Sequence, residues 1–133
     1  MPKREVTTET IGKPIGVFSQ ATMIEAEGRL VFISGMVARR PDGTVAGVGD
    51  VAAQTVQVCE NVKAAVEAAG GTMADVVSTT TYITGRPQRE VVTEVRHGYF
   101  PGPDHPCNTL LIVSGLGLPD YLVEIEAVAW VRQ

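Results

Sequence analysis

The stretch that decides the fold is the last quarter of the chain, His105–Val131, which reads HPCNTLLIVSGLGLPDYLVEIEAVAWV. Two apolar runs, Thr109–Val113 and Leu122–Val131, flank a break rich in glycine and proline (Ser114, Gly115, Gly117, Pro119, Asp120), the pattern of two strands joined by a loop. Successive side chains of a strand point to opposite faces. The second run therefore sorts Val123, Ile125, Ala127 and Ala129 to one face and Leu122, Glu124, Glu126, Val128 and Trp130 to the other. Carboxylates thus share a face with large apolar groups. If the rest of the domain or a second subunit covers that face, Glu124 or Glu126 must be paired, hydrated or held protonated, because an uncompensated buried carboxylate is costly.

Upstream of this stretch, Pro101, Gly102 and Pro103 close an expected helix over Gln88–Tyr99 that turns Val91, Val92, Val95 and Tyr99 inward. Before it, Val76–Thr84 is dense in β-branched residues and reads as a strand. The longest periodic segment runs from Ala52 to Ala69, with Ala52, Thr55, Val56, Cys59, Val62, Ala65, Val66 and Ala69 at steps of three and four. It is an amphipathic helix with Asp50 as N-cap and Gly70-Gly71 as its stop. Further back, Thr22–Ala26 and Leu30–Ser34 surround Glu27-Gly28-Arg29 and read as a hairpin, whose second arm LVFIS is apolar enough for a central strand. Residues 1–20 predict a short edge strand and a loop. The order strand, strand, strand, helix, strand, helix, strand, strand predicts an α+β fold: one domain over 1–133, a mixed β-sheet with two helices packed on one face. Its other face then needs cover, and self-association is the economical solution.

Composition sets bounds on function. The chain has 133 residues, 44% of them hydrophobic, enough for a core of its own. A net charge of −4, scattered basic residues and 5% aromatic content argue against a nucleic-acid surface, which needs clustered cations and stacking platforms. Two cysteines, Cys59 and Cys107, are too few for a disulfide framework and lack metal-ligand spacing. No apolar run approaches the ~18 residues that span a bilayer, and no leader pattern opens the chain, so a cytoplasmic protein with no membrane partner is expected. The sequence contains no Walker loop, GxGxxG, HExxH, CxxC or GxSxG. Of the two histidines, His97 falls on the outer side of its helix, whereas His105, in a loop three residues before Asn108, could reach a pocket there. Ser34-Gly35, at the end of LVFIS, reads equally as a place for a ligand to approach the main chain and as a bulge.

Several ordered segments carry a resemblance to a known family: FSQA at Phe18–Ala21, FISG at Phe32–Gly35, QTVQVCENVKAAVEAAGG at Gln54–Gly71, DVVSTTTYIT at Asp75–Thr84 and LPDYLVEIEAVA at Leu118–Ala129. Together they resemble the RidA family (YjgF/YER057c/UK114) over nearly the whole chain. The resemblance implies a chorismate-mutase-like fold and a homotrimer with clefts between subunits. It also implies deamination of small reactive imines and enamines without metal or organic cofactor.

Position by position, the resemblance is mixed. Family members that hydrolyse imino acids carry a Pro-Ala-Arg whose arginine grips the substrate carboxylate, and the matching residues here are Pro106, Cys107 and Asn108. Asparagine supplies no charge, so a carboxylated imine should bind poorly unless another cation, with Arg39 and Arg40 as candidates, substitutes. Phe18 stands where the family has a tyrosine, Thr93 where it has an asparagine, and Leu110 where it often has a cysteine. Ser34 and Gly35 match the family's serine and glycine. Glu124 matches the glutamate that holds the hydrolytic water, and Glu126 its structural neighbour. The implied site has Glu124 and Asn108 as catalytic groups, lined by Phe18, Ser34, Gly35, Thr93, Cys107 and Leu110. Three functions are compatible with it: a divergent deaminase-type hydrolase, a non-catalytic trimeric binding module for a small molecule, and, least in keeping with the charge, a ribonuclease.

Overall fold

The computed structural model describes residues 3–10, 13–14, 18–25 and 27–132. Strands β1 (Lys3–Val6) and β2 (Ala21–Ile24) pair with each other as a small antiparallel ribbon. The main sheet contains β3 (Gly28–Met36), β4 (Val76–Ile83), β5 (Cys107–Ile112) and β6 (Val123–Arg132) in the spatial order β3-β6-β4-β5. Helix α1 (Val51–Ala68) connects β3 to β4, and α2 (Arg89–Tyr99) connects β4 to β5. Strands β4 and β5 are parallel, whereas β6 runs antiparallel to β3 and β4 and fills the slot between them. Both crossovers pass over the same side of the sheet, which leaves the other side bare of helices.

The expected architecture is therefore found: α+β, a mixed sheet and two helices on one face. Three pairings differ from the expectation. Thr22–Ala26 and Leu30–Ser34 are not arms of one hairpin, since β2 pairs with β1; of that span Ala26 lies outside the described residues. LVFIS forms an edge strand of the described sheet, paired only with β6. The last two strands are not neighbours either, because β4 lies between β5 and β6.

The core sits between sheet and helices. Val123, Ile125, Ala127, Ala129 and Val131 of β6 are all buried there, against Val58, Cys59, Val62 and Val66 of α1 and Val92 of α2. Cys59 is the inert buried hydrophobe its position suggested, and burial pushes its thiol up to about 12. Asp50 caps α1 by accepting from the Ala53 amide at 3.0 Å. Gly70 ends the helix with φ of 89°, which lets the Gly71 amide return to the Val66 carbonyl at 2.9 Å. Gln54, wholly buried, ties the helix to the loop before β6: its amide nitrogen donates to the Asp120 carbonyl at 2.8 Å and its oxygen accepts from Leu122 N–H at 2.9 Å. Two polar contacts anchor β1. Lys3 donates to the Val76 carbonyl at 2.9 Å, and the Glu5 amide donates to Asp104 at 2.8 Å, just before β5. None of the described helices is long and apolar enough to cross a membrane.

Candidate functional site

The bare face of the sheet carries the even-numbered residues of β6. Glu124 pairs with Tyr82 and Glu126 with Thr80 of β4. On the β3 side, Ile33 faces Ala127 but Met36 faces Ile125, so Ser34 and Gly35 together oppose the single residue Glu126. The Ser34-Gly35 step is thus a β-bulge, a device that redirects side chains. The Glu124 carboxylate lies across Gly35, where any Cβ would come within 2.8 Å of the carboxyl carbon. Only glycine leaves room for this pose.

The neighbouring Glu126 accepts a hydrogen bond from the Tyr82 hydroxyl, which raises the phenol's pKa. Glu124 is held differently. Partial burial, and then repulsion from Glu126, push its carboxyl above the ordinary range. A cavity of about 430 Å³ opens beside Gly35, bordered by Val37, Arg39, Arg40 and Asn61. Arg40 is engaged in its own turn, donating to the Thr44 hydroxyl and the Val45 carbonyl, each at 3.1 Å. Asn61 supports the same segment by donating to the carbonyls of Val37 and Arg39 at 2.9 and 3.0 Å.

A second polar group lies at the β5 edge, on the helix side of the sheet. Asn108 pairs with Thr79 in the parallel register, and its Oδ1 accepts from the hydroxyls of Thr79 and Thr81, both at 2.9 Å. The Thr79 hydroxyl also receives Arg96 of α2 at 2.9 Å. Arg96 is only 3% exposed, and its guanidinium carbon lies 4.7 Å from the centre of the Phe100 ring. Burial lowers its pKa to about 10, so it remains charged at neutral pH.

Leu110 follows Asn108 on the same face, half-buried against the core, and Thr93 lies half-buried one turn before Arg96 on α2. Phe18 is carried to the start of β5 by Ser19, whose amide donates to the Pro106 carbonyl at 3.2 Å and whose hydroxyl donates to that of His105. Cys107 points to the opposite side, where its sulfur is 3.9 Å from the Gln20 carbonyl oxygen and 4.0 Å from the Thr22 hydroxyl. His105 contacts the Phe100 carbonyl through Nδ1 at 3.1 Å, and His97 is exposed.

Within one chain the expected site residues form two groups. Glu124, Ser34 and Gly35 are together on the bare face; Asn108 and Leu110 lie on the β5 edge, with Phe18 next to its start and Thr93 on α2. Strand β4 and the thickness of the sheet separate them. The residue that sequence reasoning missed is Arg96. Its signal was its spacing, four residues after Val92 and between Val95 and Tyr99, on the stripe assigned to the core. Among the described residues, no three His, Cys, Asp or Glu side chains converge where they could hold a metal ion.

Two crossover units on one side of a mixed sheet, with a bulge under a glutamate on the other, define a small α+β protein of the chorismate-mutase-like type that the resemblance implied. The family model described as Endoribonuclease L-PSP matches residues 8–131, and the chain belongs to this family, the RidA/YjgF family. A RutC family protein of Pyrococcus horikoshii is 40% identical over 128 residues, covering 96% of this chain and 98% of the relative. One from Pyrococcus abyssi is 36% identical over 130 residues, with 98% of both covered. Among solved structures, a Rid family protein of unknown function from Yersinia pestis matches with a TM-score of 0.89 at 35% identity, covering 98% of this chain and all of that one.

Proposed function

We propose that this protein is a cofactor-independent hydrolase of a small imine, enamine or related C–N substrate, acting in the cytoplasm in clefts between the copies of a homotrimer. The observation that carries the reading is the Glu124 carboxylate, laid over the Ser34-Gly35 bulge with a raised pKa. A carboxyl poised above its ordinary range is a stronger base for water once ionised. As water attacks the C=N carbon, Glu124 takes its proton and passes it to the nitrogen. The resulting tetrahedral adduct expels ammonia or an amine and leaves a carbonyl product.

The attack also needs a donor and a wall against bulk water. Asn108 and Leu110 meet that need, but from the other side of the sheet, with Phe18 next to the start of β5. A neighbouring copy can bring its β5 edge to the bare face, where Leu30 and Phe32 are 49% and 74% exposed and call for cover. Assembly and catalysis then have one cause.

The test supplies the wild type with two imines generated in situ, one from an amino acid and one from an uncharged amine. Loss of imine above the uncatalysed rate is expected for at least one. No turnover of either, with small carbonyl compounds still bound, would contradict the hydrolase and favour the binding module. The ribonuclease named in the family description is disfavoured by the net charge of −4, since a phosphate backbone needs a basic surface.

A further inference from the structure

Arg96 is a buried cation without a counter-charge. None of the described carboxylates pairs with it, and the ion pair found among the described residues, Arg4 with Glu25, lies on the surface. The Arg96 Nε is buried with no hydrogen-bond partner. A guanidinium removed from water in this state is costly, and an apolar side chain of similar length would avoid the cost. What Arg96 does reach is the Thr79 hydroxyl, which sits at 2.9 Å from both the guanidinium and the Asn108 oxygen. The charge and the amide oxygen are therefore no more than about 6 Å apart, inside a region of low effective dielectric.

An asparagine at a strand edge can turn either end of its amide outward, offering an acceptor or a donor. Here the Thr79 hydroxyl accepts from Arg96 and so has its own proton to give, and Thr81 has a second. Both hydroxyls lie 2.9 Å from the same amide oxygen, closer than Thr79 lies to its other acceptor, the Cys107 carbonyl at 3.1 Å, and the nearby cation favours that orientation. The NH₂ group is left facing the half-exposed edge. We propose that Arg96 is a positioning residue which, through Thr79, holds the Asn108 amide oxygen inward, so that the β5 edge presents a fixed N–H donor and takes its ligand by an acceptor oxygen. This rests on the reading of Asn108 as a ligand contact.

The test has an electrostatic arm and a binding arm. In Asn108→Asp, the new carboxyl, followed by carbon NMR, is expected to titrate below the ordinary aspartate range. Adding Arg96→Met should raise it by about one unit. In the otherwise native chain, Arg96→Met should weaken binding of acetone, an uncharged probe with an acceptor oxygen and no donor, by about tenfold. Its thermal midpoint should not fall, because Thr79 keeps the Cys107 carbonyl at 3.1 Å as acceptor and methionine can pack on Phe100. Arg96→Lys should retain most of the affinity, which guards against a methionine variant that fails to fold. A carboxyl introduced by Asn108→Asp that titrates at or above its ordinary range, no acetone binding by the wild type, or acetone affinity indifferent to Arg96→Met would each overturn the assignment. Imine turnover unchanged by Arg96→Met sinks this inference alone, whereas Arg96-dependent acetone binding without imine turnover sinks the hydrolase alone.

Discussion

Replacing Glu124 by glutamine is expected to lower kcat for imine hydrolysis by roughly 10²- to 10⁴-fold, the range for losing a positioned general base. Glutamine keeps the shape that fits over Gly35 and removes only the basicity. The substitution should also leave the protein at least as stable near neutral pH. Because burial and Glu126 raise the folded-state pKa, folding favours the protonated carboxyl. That contribution is fully present below the unfolded value of about 4.3 and is lost as pH rises through the folded value. Above that window the ionised Glu124 works against the fold, so Glu124→Gln should gain thermal midpoint at pH 7 and lose the gain near pH 4. The same ionisation should give wild-type kcat/KM an acid limb displaced upward from the ordinary glutamate range. Steady-state rates and melting curves across pH check both parts. A variant with full activity removes Glu124 from the chemistry.

The second large effect belongs to the bare face. Phe32 pairs with Val128 and Leu30 with Trp130, giving four apolar side chains with no helix above them. Burying a phenylalanine contributes about 2 kcal/mol per copy, and placing a carboxylate in the same contact adds a desolvation penalty. Phe32→Glu should therefore dissociate the assembly to monomers while preserving the fold, because the side chain is 74% exposed within one chain. Light scattering and circular dichroism would show it. Turnover should fall by at least about 100-fold with the assembly, since each cleft would lose one of its walls. Full activity in a monomer would contradict the shared cleft.

Much of the fold could be read from local pattern. The helix from Val51 to Ala68 announces itself by its three-and-four steps, its Asp50 cap and its terminal glycines, and β6 by strict alternation over ten residues. Pairing was less legible because it is set by contacts distant in sequence. Nothing near Thr109–Val113 shows that β4 will insert between it and the last strand, and nothing around Glu27-Gly28 shows that β2 turns back to β1. Those register choices also decide faces: Asn108 shares a side with Thr79 only because β4 and β5 pair in parallel at that step. Glu124 and Asn108 could thus be named from the sequence but not placed on opposite sides of a sheet. Arg96 escaped for another reason. A cation within an apolar stripe reads as the edge of a buried face, and only three-dimensional packing shows it enclosed between Phe100 and Thr79.

The central claim is that one cleft takes Glu124 from one copy and Asn108 from another. The direct measurement is complementation. Glu124→Gln and Asn108→Asp, each inactive alone, are unfolded together, refolded as a mixture and assayed for imine hydrolysis. If each cleft draws on two copies, random assembly of equal amounts forms about a quarter of the clefts from intact halves, and the mixture should recover about a quarter of the wild-type rate. Mixed assemblies that form, as shown by mass, yet stay as inactive as either parent would contradict the account.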